Sequence, residues 1–118
     1  MSAWIDVCAI EDLQADSGVC ALVRGEQVAI FYLPRLSTVY AIGNRDPFSQ
    51  ANVLSRGMVG DLGGEPMVAS PMYKQHFSLC TGICLEDANV SVPAYPARIE
   101  NGRVAILAEG KTPSLVAC

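Results

Sequence analysis

Basic residues are scarce in this 118-residue sequence, which contains eight lysines and arginines and no basic run. Charged residues of both signs make up only 17% of the chain, and the formal net charge is −4. Proteins that bind the nucleic-acid backbone carry clustered cations. The composition therefore argues against a nucleic-acid partner.

Long hydrophobic runs are absent as well. The longest, residues 28–33, is far shorter than the roughly 20 apolar residues that a membrane-spanning helix requires. Residues 1–6 also lack the basic start and long apolar stretch that are typical of an export signal. We therefore expect no membrane partner and a cytoplasmic location.

Motifs for metal and nucleotide chemistry are missing too. The five cysteines form no Cys-x-x-Cys pair, and their odd number favours reduced thiols over a disulfide framework. His76, Cys80 and Cys84 are spaced by four residues, but the glycine at Gly82 argues against the helix that would align them as metal ligands. No glycine-rich phosphate motif follows a predicted strand. We expect no metal, cofactor or catalytic site in this chain.

Hydrophobic residues, by contrast, are abundant. They make up 51% of the sequence, and the mean hydropathy is +0.30, which excludes a disordered chain. The length fits a single domain, which we assign to residues 1–108, with residues 109–118 as a flexible tail. The apolar surplus is what a subunit with one face buried against a partner would show.

Strand signals dominate the pattern of residues, because short runs rich in Val, Ile, Tyr and Phe alternate with Gly, Pro, Asn and Asp. The sequence therefore predicts an all-β fold. The predicted strands are residues 3–7, 19–24, 27–32, 39–42, 67–70, 76–79, 95–100 and 103–107. Tight hairpin turns are expected at 24–27 and 100–103, and one short helical turn at 9–13. Four glycines predict a long loop over residues 50–65, with at most a brief strand at 58–59.

A series of short motifs then identifies a resemblance. In order, they are Asp46-Pro47-Phe48-Ser49, Val53-Leu54-Ser55-Arg56-Gly57, Val59-Gly60-Asp61, Ala69-Ser70-Pro71-Met72-Tyr73-Lys74-Gln75, Phe77-Ser78-Leu79 and Thr81-Gly82. Together they resemble the small subunits of cytoplasmic NADH-dependent nitrite reductases, over nearly all of residues 3–108. The resemblance implies a Rieske-like antiparallel β-sandwich and a partnership with a large subunit. That large subunit would carry siroheme, a 4Fe–4S cluster, FAD and the NADH site, and would reduce nitrite to ammonium.

The resemblance also implies two loops at a vacated cluster site. A Rieske cluster takes two Cys and two His ligands from paired loop motifs. The four matching positions here hold Asn44, Asp46, Ser70 and Tyr73, which supply none of those ligands. We expect hydrogen bonds to replace the metal as the clamp between the loops, with Asp46 accepting from Tyr73 or Ser70.

The loop tips are also the predicted partner-binding surface, because they combine aromatic, methionine and cationic residues of the kind enriched at interfaces. These candidates are Arg45, Phe48, Arg56, Met72, Tyr73, Lys74 and His76. Two functions stay open at this point. One is a nonredox subunit of nitrite reductase, and the alternative is a cluster-free Rieske-like interaction module of another oxidoreductase complex. A Rieske electron carrier is disfavoured because its ligands are missing.

Overall fold

The computed structural model describes residues 4–107, so the predicted tail at 109–118 lies outside the described residues. The described chain is built from ten strands and three short 3₁₀ turns. The strands are β1 (Trp4–Ala9), β2 (Ser17–Val23), β3 (Glu26–Leu33), β4 (Thr38–Gly43), β5 (Met58–Leu62), β6 (Glu65–Ala69), β7 (His76–Ser78), β8 (Ala94–Tyr95), β9 (Ala97–Glu100) and β10 (Arg103–Leu107). The turns are Ile10–Asp12, Pro34–Leu36 and Leu54–Arg56. The predicted all-β class is confirmed.

Three antiparallel sheets form the described fold. A central sheet has the order β2-β3-β4-β8, a terminal sheet the order β1-β10-β9, and a third sheet the order β5-β6-β7. One apolar cluster joins the central sheet to the third sheet, and a second joins it to the terminal sheet. The central sheet therefore separates two cores.

Strand β3 explains this arrangement, because its side chains alternate between the two cores. Ala29, Phe31 and Leu33 belong to the core beside the third sheet, whereas Val28 and Ile30 belong to the core beside the terminal sheet. All five side chains are fully buried. Each large aliphatic or aromatic side chain buried in this way contributes about 1.5–3 kcal/mol. An uninterrupted apolar run is what a strand covered on both faces requires.

The predicted hairpin turns are confirmed. Asn101 and Gly102 have φ values of 55° and 75°, and Arg24 and Gly25 have 51° and 82°. Positive φ at both central positions is the geometry of a type I′ turn, whose twist matches that of the flanking strands. The predicted helical turn at residues 9–13 is present as the 3₁₀ turn Ile10–Asp12.

Two segments differ from the prediction, and most of the other strand ends lie one or two residues from their predicted positions. The expected long loop over residues 50–65 contains the whole of β5, because Gly60 fits within that strand and Gly63 and Gly64 make the turn into β6. The expected single strand 95–100 is divided at Pro96 into β8 of the central sheet and β9 of the terminal sheet. Proline has no N–H for a sheet ladder, and the strand pairing changes where it stands.

Cysteine chemistry differs from the expectation at one position. Cys8, Cys20 and Cys84 carry free thiols, whereas Cys80 is disulfide-bonded. The prediction of reduced thiols is therefore wrong for Cys80. Among the described residues, no helix has the length and apolar character needed to cross a membrane.

Candidate functional site: two hydrogen-bonded loops

The first loop follows β4 and is anchored by Asn44, whose side chain is only 1% exposed. Its amide Nδ2 donates to Gln27 Oε1 at 3.0 Å, and its Oδ1 accepts from the Ser55 backbone N–H at 2.7 Å. One buried amide therefore fixes the loop both to β3 and to the 3₁₀ turn Leu54–Arg56. Leaving such a buried group unpaired would cost about 1–3 kcal/mol.

Asp46 connects the first loop to the second. Its carboxylate is fully buried. Oδ1 accepts from the Phe48 backbone N–H at 2.8 Å, and Oδ2 accepts from the Ser70 hydroxyl at 2.5 Å. The expected hydrogen bond between the loops is thus present, with Ser70 as the donor.

The second loop, between β6 and β7, is shaped around Ser70. The Ser70 hydroxyl oxygen accepts from the Met72 N–H at 3.2 Å, and its carbonyl accepts from the Lys74 N–H at 3.1 Å. Lys74 has a φ of 68°, in the left-handed region that lets the chain turn back toward β7. This geometry makes Ser70 both the donor to Asp46 and the centre of its own loop.

The four vacated positions therefore have different surroundings. Asp46 and Ser70 contact each other, Asn44 bonds toward β3, and Tyr73 is 59% exposed. The prediction named Tyr73 as an alternative donor to Asp46, but the donor in the structure is Ser70. Within residues 4–107, no group of three or more His, Cys, Asp or Glu side chains is placed to hold a metal ion.

Six of the predicted partner-binding residues are exposed at this end of the molecule: Arg45, Phe48, Arg56, Met72, Tyr73 and Lys74. Phe48 is 37% exposed and packs its inner side against the buried Phe77, with ring centroids 6.2 Å apart. The phenyl ring is therefore held in place by the core while one side of it faces solvent. Rigid aromatic residues of this kind are effective anchors at interfaces.

His76, the seventh candidate, differs from those six residues because it is only partly exposed and is bonded to the Glu86 carboxylate. The His76 backbone N–H donates to Glu86 Oε1 at 2.8 Å, and its ring Nδ1 contacts Glu86 Oε2. Burial raises the pKa of Glu86, but these two hydrogen bonds and the charge of His76 lower it by more, so the pKa lies below its usual value. His76 thus fastens β7 to the segment around Glu86, a partner that sequence spacing did not indicate.

The cations at this end are unpaired. Elsewhere, Arg35, Arg98 and Arg103 form ion pairs with Asp61, Glu100 and Asp6, at 3.5, 3.2 and 2.9 Å. In the described part of the chain, Arg45, Arg56 and Lys74 have no such partner. Within residues 4–107, a chain of net charge −4 therefore has these three cations without ion-pair partners at the two loops.

Two clefts adjoin the loops. The larger, of about 480 Å³, is lined by Arg45, Asn44, Gln27 and Tyr95 among others. The smaller, of about 160 Å³, has Arg56 and Lys74 in its wall. The larger cleft could not be predicted from the sequence, because Gln27 and Tyr95 are far from the loop in sequence and carry no motif.

Comparison with known proteins places this geometry in a family. Residues 3–107 match the family model of the Rieske-like [2Fe-2S] domain. The chain is 49% identical to the NADH nitrite reductase small subunit of Escherichia coli K12, over 88% of this chain and 96% of that protein. The chain belongs to the family of NADH nitrite reductase small subunits. Its Rieske-like fold is thereby confirmed.

A solved structure and a longer protein are also similar to this chain. A Mycobacterium tuberculosis crystal structure, assigned as an NADH-dependent nitrite reductase small subunit, superimposes with a TM-score of 0.86 at 49% identity, over 91% of this chain and 96% of that one. A nitrite reductase large subunit of Klebsiella oxytoca is 41% identical over 86% of this chain, and the match occupies 10% of that longer protein. A segment similar to this small-subunit family is thus part of a large-subunit polypeptide in Klebsiella.

Proposed function

We propose that this chain is the nonredox small subunit of an NADH-dependent nitrite reductase, which reduces nitrite to ammonium. The observation that carries the proposal is the Klebsiella large subunit, within which a segment 41% identical to this chain occurs. Domains joined in one polypeptide commonly work together, so the separate chain is expected to associate with a separate large subunit. Siroheme, a 4Fe–4S cluster, FAD and the NADH site would all lie in that partner.

The nonredox role rests on the chemistry of the loop residues. Asn44, Asp46, Ser70 and Tyr73 supply no thiolate and no imidazole, which a Rieske cluster requires. The carboxylate of Asp46 already accepts two hydrogen bonds inside the protein. The loops would then serve as a rigid surface and not as an electron-transfer centre.

The surface that we propose to face the large subunit is the loop end, defined by Arg45, Phe48, Arg56, Met72 and Lys74. These residues are exposed, and the three cations have no ion-pair partner in the described chain. His76 would support this surface through its bonds to Glu86 and not through direct contact. The proposed location is the cytoplasm, where NADH is regenerated.

Co-purification tests the proposal. The tagged chain is expressed with the large subunit from the same operon or genome, and the eluate is assayed for siroheme and flavin absorbance and for NADH-dependent nitrite reduction. We expect a coloured, active complex that contains both chains. A colourless eluate with a different stable partner would contradict the proposal and favour an interaction module of another oxidoreductase.

An alanine substitution tests the proposed surface. Phe48→Ala removes the exposed ring and should reduce recovery of the large subunit. Ile99→Ala is the matched control, because Ile99 is also 37% exposed but lies on β9 of the terminal sheet and lines neither cleft. Full co-purification of Phe48→Ala would argue against the loop end as the interface.

A further inference from the structure

The smaller cleft beside the loops brings two of the unpaired cations into one concavity. Arg56 ends the 3₁₀ turn before β5, and Lys74 lies in the loop before β7, yet both line the same cleft of about 160 Å³. Gly57, Ala69 and Ser70 are also part of its lining. Two segments that are distant in sequence thus each contribute one cationic residue to the lining of one small space.

The walls of this cleft are held in place by close packing. A Cβ atom at Gly57 would lie 2.3 Å from the Ala69 carbonyl oxygen, so the glycine lets the two backbones approach each other. The backbone carbonyl of Ser70 accepts from the Lys74 N–H at 3.1 Å. The concavity is therefore a fixed feature of the fold, built before any partner arrives.

No carboxylate of the described chain neutralises these cations. The cleft is lined by no acidic residue. The nearest acid in the loop network, Asp46, is fully buried and bonded to Ser70 and Phe48. Two cationic residues without ion-pair partners, at the border of one cleft on a chain of net charge −4, are complementary to an acidic group on another molecule.

We propose that this cleft receives the carboxylate side chain of an Asp or Glu of the nitrite reductase large subunit, with Arg56 and Lys74 as its partners. This inference rests on the proposed function. The volume supports a side chain, since about 160 Å³ lies well below the 300–1,000 Å³ typical of cofactor and nucleotide pockets. The guanidinium can bind both carboxylate oxygens, and the ammonium supplies a point charge.

Carbodiimide coupling tests the inference directly, because it joins a primary amine to a carboxylate that contacts it. The chain has only two lysines, Lys74 and Lys111. We expect the wild-type complex to yield a covalent link between Lys74 and one acidic residue of the large subunit, identified by mass spectrometry. Lys74→Arg should abolish this link while binding persists, and Lys111→Arg should retain it.

Affinity measurements provide the second readout. Lys74→Glu and Arg56→Glu should each raise the Kd for the large subunit about tenfold or more, and the loss should shrink at high salt. Lys111→Glu, the same substitution at the chain's other lysine, is the control for an equal change in net charge and should change the Kd by about threefold at most. Circular dichroism of each variant checks that it is folded.

The outcomes separate the two proposals. If the wild-type chain fails to bind the large subunit, the proposed function is wrong. If it binds, but Lys74 forms no link and Lys74→Glu binds as tightly as wild type, only the cleft inference is overturned. Nitrite titrated into the isolated chain gives a third arm: shifts in the amide resonances of Ser70 and Lys74 would mark a small-anion site and would also overturn the inference.

Discussion

Single side chains connect the two loops, and Asp46 is the most important of them. Its carboxylate accepts one bond from within its own loop and one from Ser70, which is 24 residues away. This contact could be predicted, because the resemblance placed both residues at matching loop positions. The partners of Asn44 could not, since Gln27 and Ser55 lie 17 and 11 residues away and carry no pattern that pairs them with an amide.

Asp46→Ala should lower the free energy of unfolding by about 1–3 kcal/mol, because it leaves the buried Ser70 hydroxyl and the Phe48 N–H without an acceptor. Chemical denaturation measures this difference. Ser49→Ala, which removes one local bond to Ala51 within the same loop, should cost less. An Asp46→Ala protein as stable as wild type would show that the loops need no clamp.

Glu86 should make stability depend on pH. Because its pKa is depressed in the folded chain, ionised Glu86 stabilises the fold above its unfolded pKa, and this contribution is lost as pH falls through the folded pKa. Glu86→Gln should therefore be less stable than wild type at pH 7. The free energies of unfolding of the two proteins should converge between about pH 5 and pH 3. Denaturation at several pH values measures the difference. Glu11→Gln controls for the loss of one exposed carboxylate; a gap that persists at low pH would contradict the assignment.

At the scale of elements, apolar patterns defined the strands, while pairing partners decided their limits. The apolar run at residues 28–33 makes up most of β3, and both faces of that strand are covered by the rest of the fold. The glycine-rich segment after residue 57 became β5, since its backbone pairs with β6 from Met58 to Leu62. Composition does not predict such pairing, because the neighbouring strand supplies backbone hydrogen bonds that are not part of a residue's local strand propensity.

Two glycines of this segment should respond differently to alanine. A Cβ at Gly57 would lie 2.3 Å from the Ala69 carbonyl oxygen, whereas at Gly60 the nearest atom is the Met67 terminal methyl, at 2.7 Å. Backbone cannot yield as a flexible side chain can, so Gly57→Ala should cost about 1–3 kcal/mol and Gly60→Ala under about 1 kcal/mol. Thermal denaturation of the two variants compares these costs. Equal losses would mean that the backbone contact at Gly57 relaxes freely.

For the whole molecule, the Rieske-like architecture persists while the loop chemistry has changed. The resemblance predicted the family and the position of the loops. It could not predict that Arg45, Arg56 and Lys74 lack ion-pair partners, because this depends on the arrangement of all three sheets. Which cations remain unpaired is decided by distances between segments that are remote in sequence. Only the folded chain reveals this.

The whole protein should fail to assemble an iron–sulfur cluster. After anaerobic incubation with ferrous iron and sulfide, followed by desalting, we expect no visible absorption bands and no retained iron, because the loop positions offer no thiolate or imidazole pair. A Rieske ferredoxin treated in parallel controls for the reconstitution. Stoichiometric iron with a Rieske spectrum would refute the vacated-site assignment.

The pairing of β1 with β10 has a consequence for how the chain acquires its structure during synthesis. Trp4 lies opposite Leu107, and Asp6 bonds Arg103 across 97 residues of sequence. The terminal sheet therefore cannot close until residues 103–107 have emerged from the ribosome, and contacts this distant in sequence form slowly. Until then Val28 and Ile30 lack their cover of Val104 and Ile106, so the nascent chain exposes an apolar face that a chaperone can bind.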